Sequence, residues 1–279
     1  MGVFRGYKVE VNKIYCESCL DTMSKMDDGI VDIILTSPPY NTNTRSKGGR
    51  TLDNINEKYY PSVRYDVYVD SIPNDEYISR SINLFNNFDR ILAKDGVILY
   101  NMSYGNVNPH LMLDTLYNII HNTNFSIADT IVWKKRTCQP IWSKNKLSRI
   151  CEFIYVFCRS NEFKTFNSGK KLSSIRDTGV HMYEASLKNF IEAPNTDGPC
   201  GLINCARFSS ELVCKLLKIY AHKSDLLVYD PFMGSGTTAV GCIKYGHRYV
   251  GSELSPKQVA YANKWIEGVK SGSKDKQYC

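Results

Sequence analysis

Residues 36–41, with the sequence TSPPYN, place a hydroxyl group, two prolines and a phenol directly after the apolar run of a predicted strand. Pro38 and Pro39 cannot donate to a β-ladder, so the strand must end where they begin. Ser37 Oγ and the Pro38 carbonyl oxygen are hydrogen-bond acceptors on a restricted backbone. A plain turn is the alternative, since Ser and Pro are ordinary turn residues. The stretch therefore indicates either a turn or a rigid platform that accepts N–H groups.

Residues 226–242, with the sequence LLVYDPFMGSGTTAVGC, have the pattern of a buried strand, a glycine turn and the start of a helix. Gly234 and Gly236 let the backbone approach a ligand closely and adopt unusual dihedral angles. Thr237 and Thr238 open the helix, whose N-terminal amides can face a carboxylate or a phosphate. This pattern is typical of the first βα turn of a nucleotide-binding fold. The spacing is not G-x-G-x-x-G and lacks the lysine of a Walker loop, which disfavours dinucleotide and ATP sites.

Strands alternate with helices along most of the chain, which predicts an α/β fold with a mostly parallel sheet and helices on both faces. One predicted strand ends at Glu253, a position that suits contact with ribose hydroxyls. An amphipathic helix is expected over residues 75–96, ended by Gly96. Residues 41–75 are polar and predict a long functional loop, while residues 160–200 interrupt the alternation and predict an inserted segment.

The chain has 279 residues, a formal net charge of +7 and a sequence pI near 8.8, which permits a nucleic-acid partner. Residues 134–176 carry eleven Lys and Arg against two acidic residues, with aromatic residues between them. This distribution indicates a phosphate-facing surface. No apolar run reaches the roughly 18 residues of a membrane helix, and the first residues lack the apolar core of a secretory signal. A cytoplasmic protein without membrane contact is therefore expected.

Ten cysteines are scattered along the chain. Without a secretion signal we expect reduced and mostly buried thiols. Cys16 and Cys19 form a C-x-x-C pair, which is a pattern of zinc or redox sites. No second close pair with zinc spacing exists in the sequence and histidine is scarce, so no metal site is predicted.

Together TSPPYN and DPFMGSGTTAVGC closely resemble the two motifs of the amino-group DNA methyltransferases that use S-adenosylmethionine. Further matches run through most of the chain: FDRILAKDGVILYN, IVWKK, CEFIYVF and FSSELVCKLLKIYA. The catalytic motif precedes the cofactor motif, as in the β-class of these enzymes. The resemblance implies a Rossmann-like methyltransferase fold with a circularly permuted motif order and a small inserted recognition segment. One departure is Glu17–Ser18, which stands where family members often have Gly-Asp and leaves the role of both positions open.

The same resemblance divides the chain into four parts. Residues 1–159 correspond to the catalytic half, with the diproline motif and a DNA-facing loop. Residues 160–203 correspond to a target-recognition segment and residues 204–270 to the cofactor-binding half. Residues 271–279 are expected to form a flexible tail.

The resemblance implies transfer of a methyl group to the exocyclic amine of a base that has left the duplex. Such an amine is a poor nucleophile because its lone pair is delocalised, and acceptors for its N–H groups make the lone pair available. The catalytic residues implied are Ser37, Pro38, Pro39 and Tyr40, with the Tyr40 ring stacked on the base. Transfer is direct, so no cysteine nucleophile is needed.

S-adenosylmethionine is the implied cofactor, S-adenosylhomocysteine its product, and no metal is implied. The implied cofactor-binding residues belong to the glycine turn and its neighbours: Asp230, Phe232, Gly234, Gly236, Thr237, Thr238, Glu253 and Phe208. For Phe208, simple helix packing is the alternative.

Double-stranded DNA is the implied partner. A loop after Tyr40 is expected to close over the DNA, and basic residues further along to contact phosphates. The candidate DNA-binding residues are Arg45, Lys47, Arg50, Lys134, Lys135, Arg136, Lys146, Arg149, Lys170 and Lys171. An idle surface charge is the alternative at each position. A homodimer, a cognate restriction endonuclease and a bacterial or a viral source are left open.

Ser37 indicates cytosine N4 as the target, because cytosine members of the family favour Ser in this motif while adenine members favour Asp. Adenine N6 is the second hypothesis. A catalytically inactive homologue that binds DNA is a hypothesis of another class. An RNA or protein methyltransferase is a third, since the same acceptor site serves other planar amides and amines.

Overall fold

The computed structural model describes residues 9–41, 72–104, 108–138, 140–195 and 208–272. In these ranges the chain forms the strands β1 (Lys13–Tyr15), β2 (Val31–Thr36), β3 (Leu92–Met102), β4 (Phe125–Lys135), β5 (Cys151–Arg159), β6 (Leu172–Ile175), β7 (His181–Tyr183), β8 (Phe190–Ala193), β9 (Leu227–Asp230) and β10 (Arg248–Ser252). The α-helices are α1 (Cys19–Ser24), α2 (Asn74–Ile91), α3 (Leu111–Asn122), α4 (Ser210–Tyr220), α5 (Thr237–Tyr245) and α6 (Pro256–Lys270). None of these helices is both long enough and apolar enough to cross a membrane.

Eight of the strands form one sheet in the order β1-β10-β9-β2-β3-β5-β4-β8. The first five strands in this order are parallel to one another. β5 runs antiparallel to both of its neighbours, β3 and β4, whereas β4 and β8 are parallel. This arrangement confirms the mostly parallel sheet predicted from the alternation of elements. β6 and β7 form a separate antiparallel hairpin.

Helices cover both faces of the sheet, as predicted. Side chains of α1, α2 and α3 pack with Ile34 and Ile98 on one face. Side chains of α4, α5 and α6 pack with Ile33 and Leu35 on the other face. Successive residues of β2 enter different clusters because side chains alternate across an extended strand. The central strand β2 is therefore buried on both faces. The chain leaves the sheet at the carboxyl end of this strand.

The helix α2 is fixed on the sheet by edge-on aromatic contacts. The ring centroid of Phe85 lies 4.9 Å from that of Phe157, 5.3 Å from that of Tyr100 and 5.6 Å from that of Phe125. Such contacts add to the free energy gained by burying the rings. This packing holds the first turns of α2, which begin at Asn74, beside the end of β2.

The predicted end of this helix at Gly96 is wrong. The helix ends at Ile91, and Leu92 already has an extended backbone with φ −70° and ψ 130°. Leu92 continues the helical spacing of apolar residues in the sequence. In the structure it pairs with Val31 of β2 and belongs to the sheet. Tertiary pairing overrides local propensity at such a boundary.

The segment predicted as an insertion divides between two structures. β8 pairs with β4 at the edge of the main sheet. It has only four residues, with alternating exposed and buried side chains, and is too short to show a clear period in the sequence. The hairpin of β6 and β7 lies outside the main sheet and exposes Leu172, Ile175 and Tyr183. The assignment of residues 160–203 to target recognition stays a prediction.

The expectation of mostly buried cysteines is wrong for the part of the chain that the structure describes. All seven cysteines there are free thiols; Cys158 and Cys242 are buried, and Cys16 is exposed. Cys16 donates at 3.9 Å to the Leu254 carbonyl oxygen, and Cys19 begins α1. Within the described ranges, no cluster of three or more His, Cys, Asp or Glu side chains could hold a metal ion.

The close crossing of α4 and α5 gives a stability prediction. A Cβ at Gly241 would lie 2.3 Å from Val213 Cγ1. We expect Gly241→Ala to lower the free energy of unfolding by about 1–3 kcal/mol, because overpacking outweighs the better helix propensity of alanine. Urea denaturation measures the change. Val213→Ala removes the nearest clashing atom, so Gly241→Ala should cost less in that background. An equal cost in both backgrounds would contradict the steric explanation.

Candidate active site

A cavity of about 420 Å³ lies at the carboxyl ends of β2, β9 and β10. Ligands of open α/β sheets bind at this edge, outside the carboxyl ends of the strands. Residues of both sequence motifs line the cavity, together with the residue that precedes the N-cap of α4. The residues singled out in the sequence that lie in the wall are Ser37, Pro38, Pro39, Phe208, Asp230, Phe232, Gly234, Thr237, Thr238 and Glu253.

The carboxylate of Asp230 joins the two motifs at the end of β9. Its Oδ1 accepts hydrogen bonds from Thr36 Oγ1 at 2.8 Å and from the Phe232 N–H at 3.0 Å. Its Oδ2 accepts a hydrogen bond from Thr238 Oγ1 at 2.6 Å. Burial raises the pKa of Asp230 to about 6, against the opposing effect of these three hydrogen bonds. One side chain therefore holds the end of β2, the glycine turn and the start of α5 together.

The glycine turn is held against the end of β10. Gly234 has φ +55°, a conformation that glycine adopts without strain. Its N–H donates to Glu253 Oε2 at 2.9 Å, and the Ser255 N–H donates to Glu253 Oε1 at 2.9 Å. Because each carboxylate oxygen can accept more than one hydrogen bond, this anchoring is compatible with the expected contact to ribose hydroxyls.

The second glycine of the turn, Gly236, has φ +90° and serves close packing. A Cβ at this position would lie 2.9 Å from Ala262 Cβ of α6. Gly236 is not among the residues that line the cavity. Its contact with a cofactor stays a prediction, while its packing role is visible in the fold.

Three buried polar atoms in the cavity wall lack a hydrogen-bond partner within the described residues: Ser235 Oγ, Thr237 Oγ1 and Gln258 Oε1. Each of these residues is only 4% exposed. Buried polar groups are normally hydrogen-bonded, so these atoms need a partner that the described residues do not supply. With the rings of Phe208 and Phe232 in the same wall, the cavity suits a small molecule that has both polar and aromatic parts.

The hydroxyl of Ser37 begins a hydrogen-bond network beside the cavity. Ser37 Oγ lies 2.9 Å from Tyr40 Oη, and Tyr40 Oη donates to Glu152 Oε2 at 3.2 Å. Asn101 Nδ2 donates to Tyr40 Oη at 2.8 Å and to Glu152 Oε2 at 3.0 Å. Lys135 Nζ forms an ion pair with Glu152 Oε1. Sequence reasoning missed Asn101 and Glu152; the available signal is a single carboxylate at the start of an otherwise apolar strand.

The backbone of the diproline stretch is fixed by two further contacts. Tyr77 Oη donates to the Pro39 carbonyl oxygen at 2.8 Å. The Asn41 side chain exchanges two hydrogen bonds with the backbone of Ile72, at 2.8 and 2.9 Å. The Tyr40 ring is half-buried against the α1–α3 side of the core and is not among the cavity-lining residues. Its stacking on a base stays a prediction.

The cavity wall also contains residues that the sequence motifs did not indicate. Tyr77 and Arg80 come from α2, and Glu17 and Ser18 come from the turn before α1. The hydrogen bond from Lys25 at 2.5 Å lowers the pKa of Glu17. The departure from the family pattern at Glu17–Ser18 therefore lies in the wall itself. Tyr77 and Arg80 carry no local signal, because an aromatic residue and an arginine are ordinary on a helix.

The candidate DNA-binding residues fall into three groups. Those after Tyr40 lie outside the described residues: Arg45, Lys47 and Arg50. A second group contacts carboxylates or a tyrosine ring of the protein itself: Lys134, Lys135, Arg136 and Arg149. A third group is exposed: Lys146, Lys170 and Lys171. Phosphate contact stays a prediction for all of them, and for the second group it competes with contacts already formed.

Most of the chain matches a known protein family. The family of N6/N4 type described as DNA methylase matches residues 31–264, a range that contains both sequence motifs. The chain belongs to this family of DNA methylases.

Similar proteins are known among curated sequences and solved structures. The chain is 25% identical to the Type II methyltransferase M.XycI of Xanthomonas campestris pv. cyanopsidis, over 90% of this chain and 86% of that protein. The PvuII DNA methyltransferase, named as cytosine-N4-specific, has a TM-score of 0.64 at 16% identity, over 93% of this chain and 91% of that chain. A complex of M1.HpyAVI with SAM has a TM-score of 0.56 at 17% identity, over 91% and 97%. These structures confirm the Rossmann-like methyltransferase fold; the circular permutation stays a prediction.

The raised pKa of Asp230 predicts a pH dependence of stability. The ordinary value is 3.8 and the value in the fold is about 6, so between them the folded protein binds more protons than the unfolded chain. The free energy of unfolding should therefore fall as the pH rises from about 4 to about 6, by at most about 3 kcal/mol. Denaturant unfolding of wild type and Asp230→Asn across this range measures the effect, because other groups cancel in the difference. A difference that does not change with pH would contradict the assignment.

Proposed function

We propose that this DNA methylase transfers a methyl group from S-adenosylmethionine to the exocyclic N4 of cytosine in double-stranded DNA and releases S-adenosylhomocysteine. Membership of the family supports DNA methylation, and Ser37 supports the choice of base. The observation that carries the proposal is that Ser37, at the end of β2, and the turn of Gly234, after β9, line one cavity. The proposed acceptors for the amine and the proposed wall for the cofactor are thus residues of the same cavity.

The cofactor, when bound, supplies a methyl group that a sulfonium makes electrophilic. Ser235, Thr237 and Gln258 offer it the buried polar atoms that have no partner in the described protein. Glu253 is proposed to accept hydrogen bonds from the ribose, and Phe208 to pack beside the adenine or methionine part. The shared fold of M1.HpyAVI, which was solved with SAM, supports this assignment.

The residues of the diproline motif are proposed to act on the target amine. Ser37 Oγ accepts a hydrogen bond from one N–H and the Pro38 carbonyl oxygen from the other, which favours a nitrogen with an available lone pair. The two prolines and the bond from Tyr77 to Pro39 hold these acceptors in place before substrate arrives. Such preorganised polar groups do not have to be reordered during the reaction.

The target base must leave the duplex to reach this pocket, at a cost of a few kcal/mol of unstacking. We propose that stacking on the Tyr40 ring offsets part of this cost, by roughly 1–3 kcal/mol. The exposed Lys146, Lys170 and Lys171 are proposed to contact phosphates, together with the basic residues after Tyr40. Contacts of this kind release counterions, so DNA binding should weaken as salt rises.

Two other functions compete with this proposal. Methylation of adenine at N6 would use the same chemistry on another base. The choice of cytosine rests on Ser37 and on the shared fold with the PvuII enzyme, whose name specifies cytosine N4. An inactive DNA-binding homologue would be a protein of another class. The intact motif from Ser37 to Tyr40 and the intact glycine turn argue against it.

The base is tested by expressing the protein in cells that lack DNA methylation and analysing the nucleosides by mass spectrometry. N4-methylcytosine is expected, and it should be missing from cells that express Ser37→Ala. N6-methyladenine in its place would assign the adenine alternative. The lack of any methylated nucleoside, with the protein folded and DNA of mixed sequence present, would support the inactive homologue. Single-molecule sequencing of the same DNA reports the recognition sequence.

Substitutions in the diproline motif and in the glycine turn should affect turnover and cofactor binding separately. Ser37→Ala and Tyr40→Ala are expected to lower the turnover rate by about two orders of magnitude, by analogy with loss of one preorganised hydrogen-bonding group. Binding of S-adenosylmethionine, measured by calorimetry, should survive both changes. Full activity of Tyr40→Ala would show that the pocket is assigned wrongly.

Gly234→Val should instead lose cofactor binding first. A Cβ at Gly234 would lie 3.4 Å from Gln258 Oε1, within the cavity wall, and the positive φ strains any other residue. Gly246→Val is a matched control, since Gly246 has φ +70° with nothing within 4 Å of a Cβ. It carries the same backbone strain away from the cavity. We expect the control to lose stability but to retain cofactor binding, and equal loss of binding in both variants would refute the placement.

A further inference from the structure

Glu152 reaches the site from the strand that runs against all others in the main sheet. β5 is antiparallel to β3 and β4, so its first residues, and not its last, lie at the carboxyl ends of the central strands. Glu152 pairs in register with Trp133 of β4, and its side chain is only 14% exposed. A carboxylate is thereby placed beside Tyr40 and Ser37, with the Lys135 ammonium on its other oxygen.

We propose that Glu152 is a positioning residue that sets the direction of the hydrogen bonds in the Ser37 network. This inference rests on the proposed function and names a residue outside the diproline and glycine-turn motifs. Lys135 occupies Oε1, and Oε2 faces Tyr40 Oη at 3.2 Å. A carboxylate accepts hydrogen bonds and cannot donate, so the single proton of the Tyr40 phenol points towards Glu152.

The direction of this hydrogen bond determines the direction of the next one, between Tyr40 and Ser37. Since the Tyr40 proton is committed to Glu152, the 2.9 Å contact between Ser37 Oγ and Tyr40 Oη must use the proton of Ser37. The hydroxyl of Ser37 therefore donates away from the cavity. Its oxygen lone pairs remain to accept the N–H of the target amine, as the proposed chemistry requires.

Asn101 supports the same direction. Its Nδ2 lies 2.8 Å from Tyr40 Oη and 3.0 Å from Glu152 Oε2, whereas the contact with Ser37 Oγ is longer at 3.4 Å. Because a carboxylate only accepts, the amide nitrogen and not the amide oxygen must face Glu152. Asn101 is 3% exposed, so this donor is fixed in the core beneath the network.

The opposite direction would work against the reaction. If Tyr40 donated to Ser37, the serine proton would be free to point into the cavity. A proton of Ser37 would then face a proton of the amine, and the acceptor on which the chemistry depends would be lost. The charge of Glu152 is what selects between the two arrangements.

The test is Glu152→Gln, which keeps the shape and removes the charge. The Lys135 ammonium demands an acceptor, so the new carboxamide turns its oxygen to Lys135 and its NH₂ to Tyr40. The network then reverses. The single-turnover rate at saturating DNA and cofactor should fall about ten- to hundredfold, the range for loss of a hydrogen bond to a charged group. Cofactor binding by calorimetry and DNA binding by fluorescence anisotropy should stay within about twofold of the wild type.

A second-site change separates direction from simple damage. In the Lys135→Met background no ammonium holds the carboxamide oxygen, which is free to face Tyr40 and to restore the original direction. Glu152→Gln should therefore cost much less in that background than in the wild type. Lys135 is also a candidate phosphate contact, and saturating DNA removes that effect from the comparison. Equal losses in both backgrounds would overturn the proposal.

Two further variants complete the test. Tyr40→Phe removes the middle of the network but leaves the ion pair, so Glu152→Gln should add little to its loss of rate. Asp89→Asn is the matched control: Asp89 pairs at 2.5 Å with Arg159, at the other end of β5, and has no contact with Ser37 in the described structure. Its single-turnover rate should equal that of the wild type.

The outcomes distinguish the proposed function from the role of Glu152. A wild-type protein that transfers no methyl group overturns the proposed function. An active wild type with an unaffected Glu152→Gln variant overturns only the role of Glu152. If Glu152→Gln lowers the rate in the protein that retains Lys135 but much less in the Lys135→Met background, with binding retained in both, the role of Glu152 is supported.

Discussion

A buried carboxylate with three donors is the interaction on which the site depends. Removing Asp230 from water is unfavourable, and the hydroxyls of Thr36 and Thr238 with one backbone N–H offset that cost. The donors come from the end of β2, from the start of α5 and from the turn between β9 and α5. The distance between the diproline stretch and the glycine turn is consequently set by the folded protein before any ligand binds.

The antiparallel β5 adds the second constraint. In a wholly parallel sheet every strand would bring only its last residues to the carboxyl edge. Because β5 is antiparallel, it brings its first residues to this edge, and Glu152 is one of them. Glu152 contacts Tyr40 and Asn101 there. The charge of Glu152 is held by Lys135 of the neighbouring strand. The carboxyl edge therefore combines backbone acceptors, hydroxyls and an ion pair, each supplied by a different part of the chain.

Much of this could be predicted from the sequence, because the relevant signals are local. The roles suggested for Ser37 and Gly234 follow from short stretches, and the alternation of elements predicts the sheet and its helices. The contact between Tyr40 and Glu152 spans 112 positions and depends on the order of strands, which alternation does not specify. The end of α2 was misplaced for a related reason: Leu92 continues the apolar spacing of the helix, but its pairing with β2 decides its conformation. Charge counts likewise cannot show that Lys134 and Arg136 pair with acidic side chains.

The order of strands has one more consequence. β1 lies beside β10 at one edge of the sheet, and α6 packs there in the same apolar cluster as Ile14. Elements from opposite ends of the described chain are thus neighbours. In a polypeptide that begins at α4 and continues from α6 to β1, the glycine turn would precede the diproline stretch, and the order of strands in the sheet would need no change. The cavity at the carboxyl edge depends on which strands are neighbours, and not on which of the two motifs comes first in the sequence.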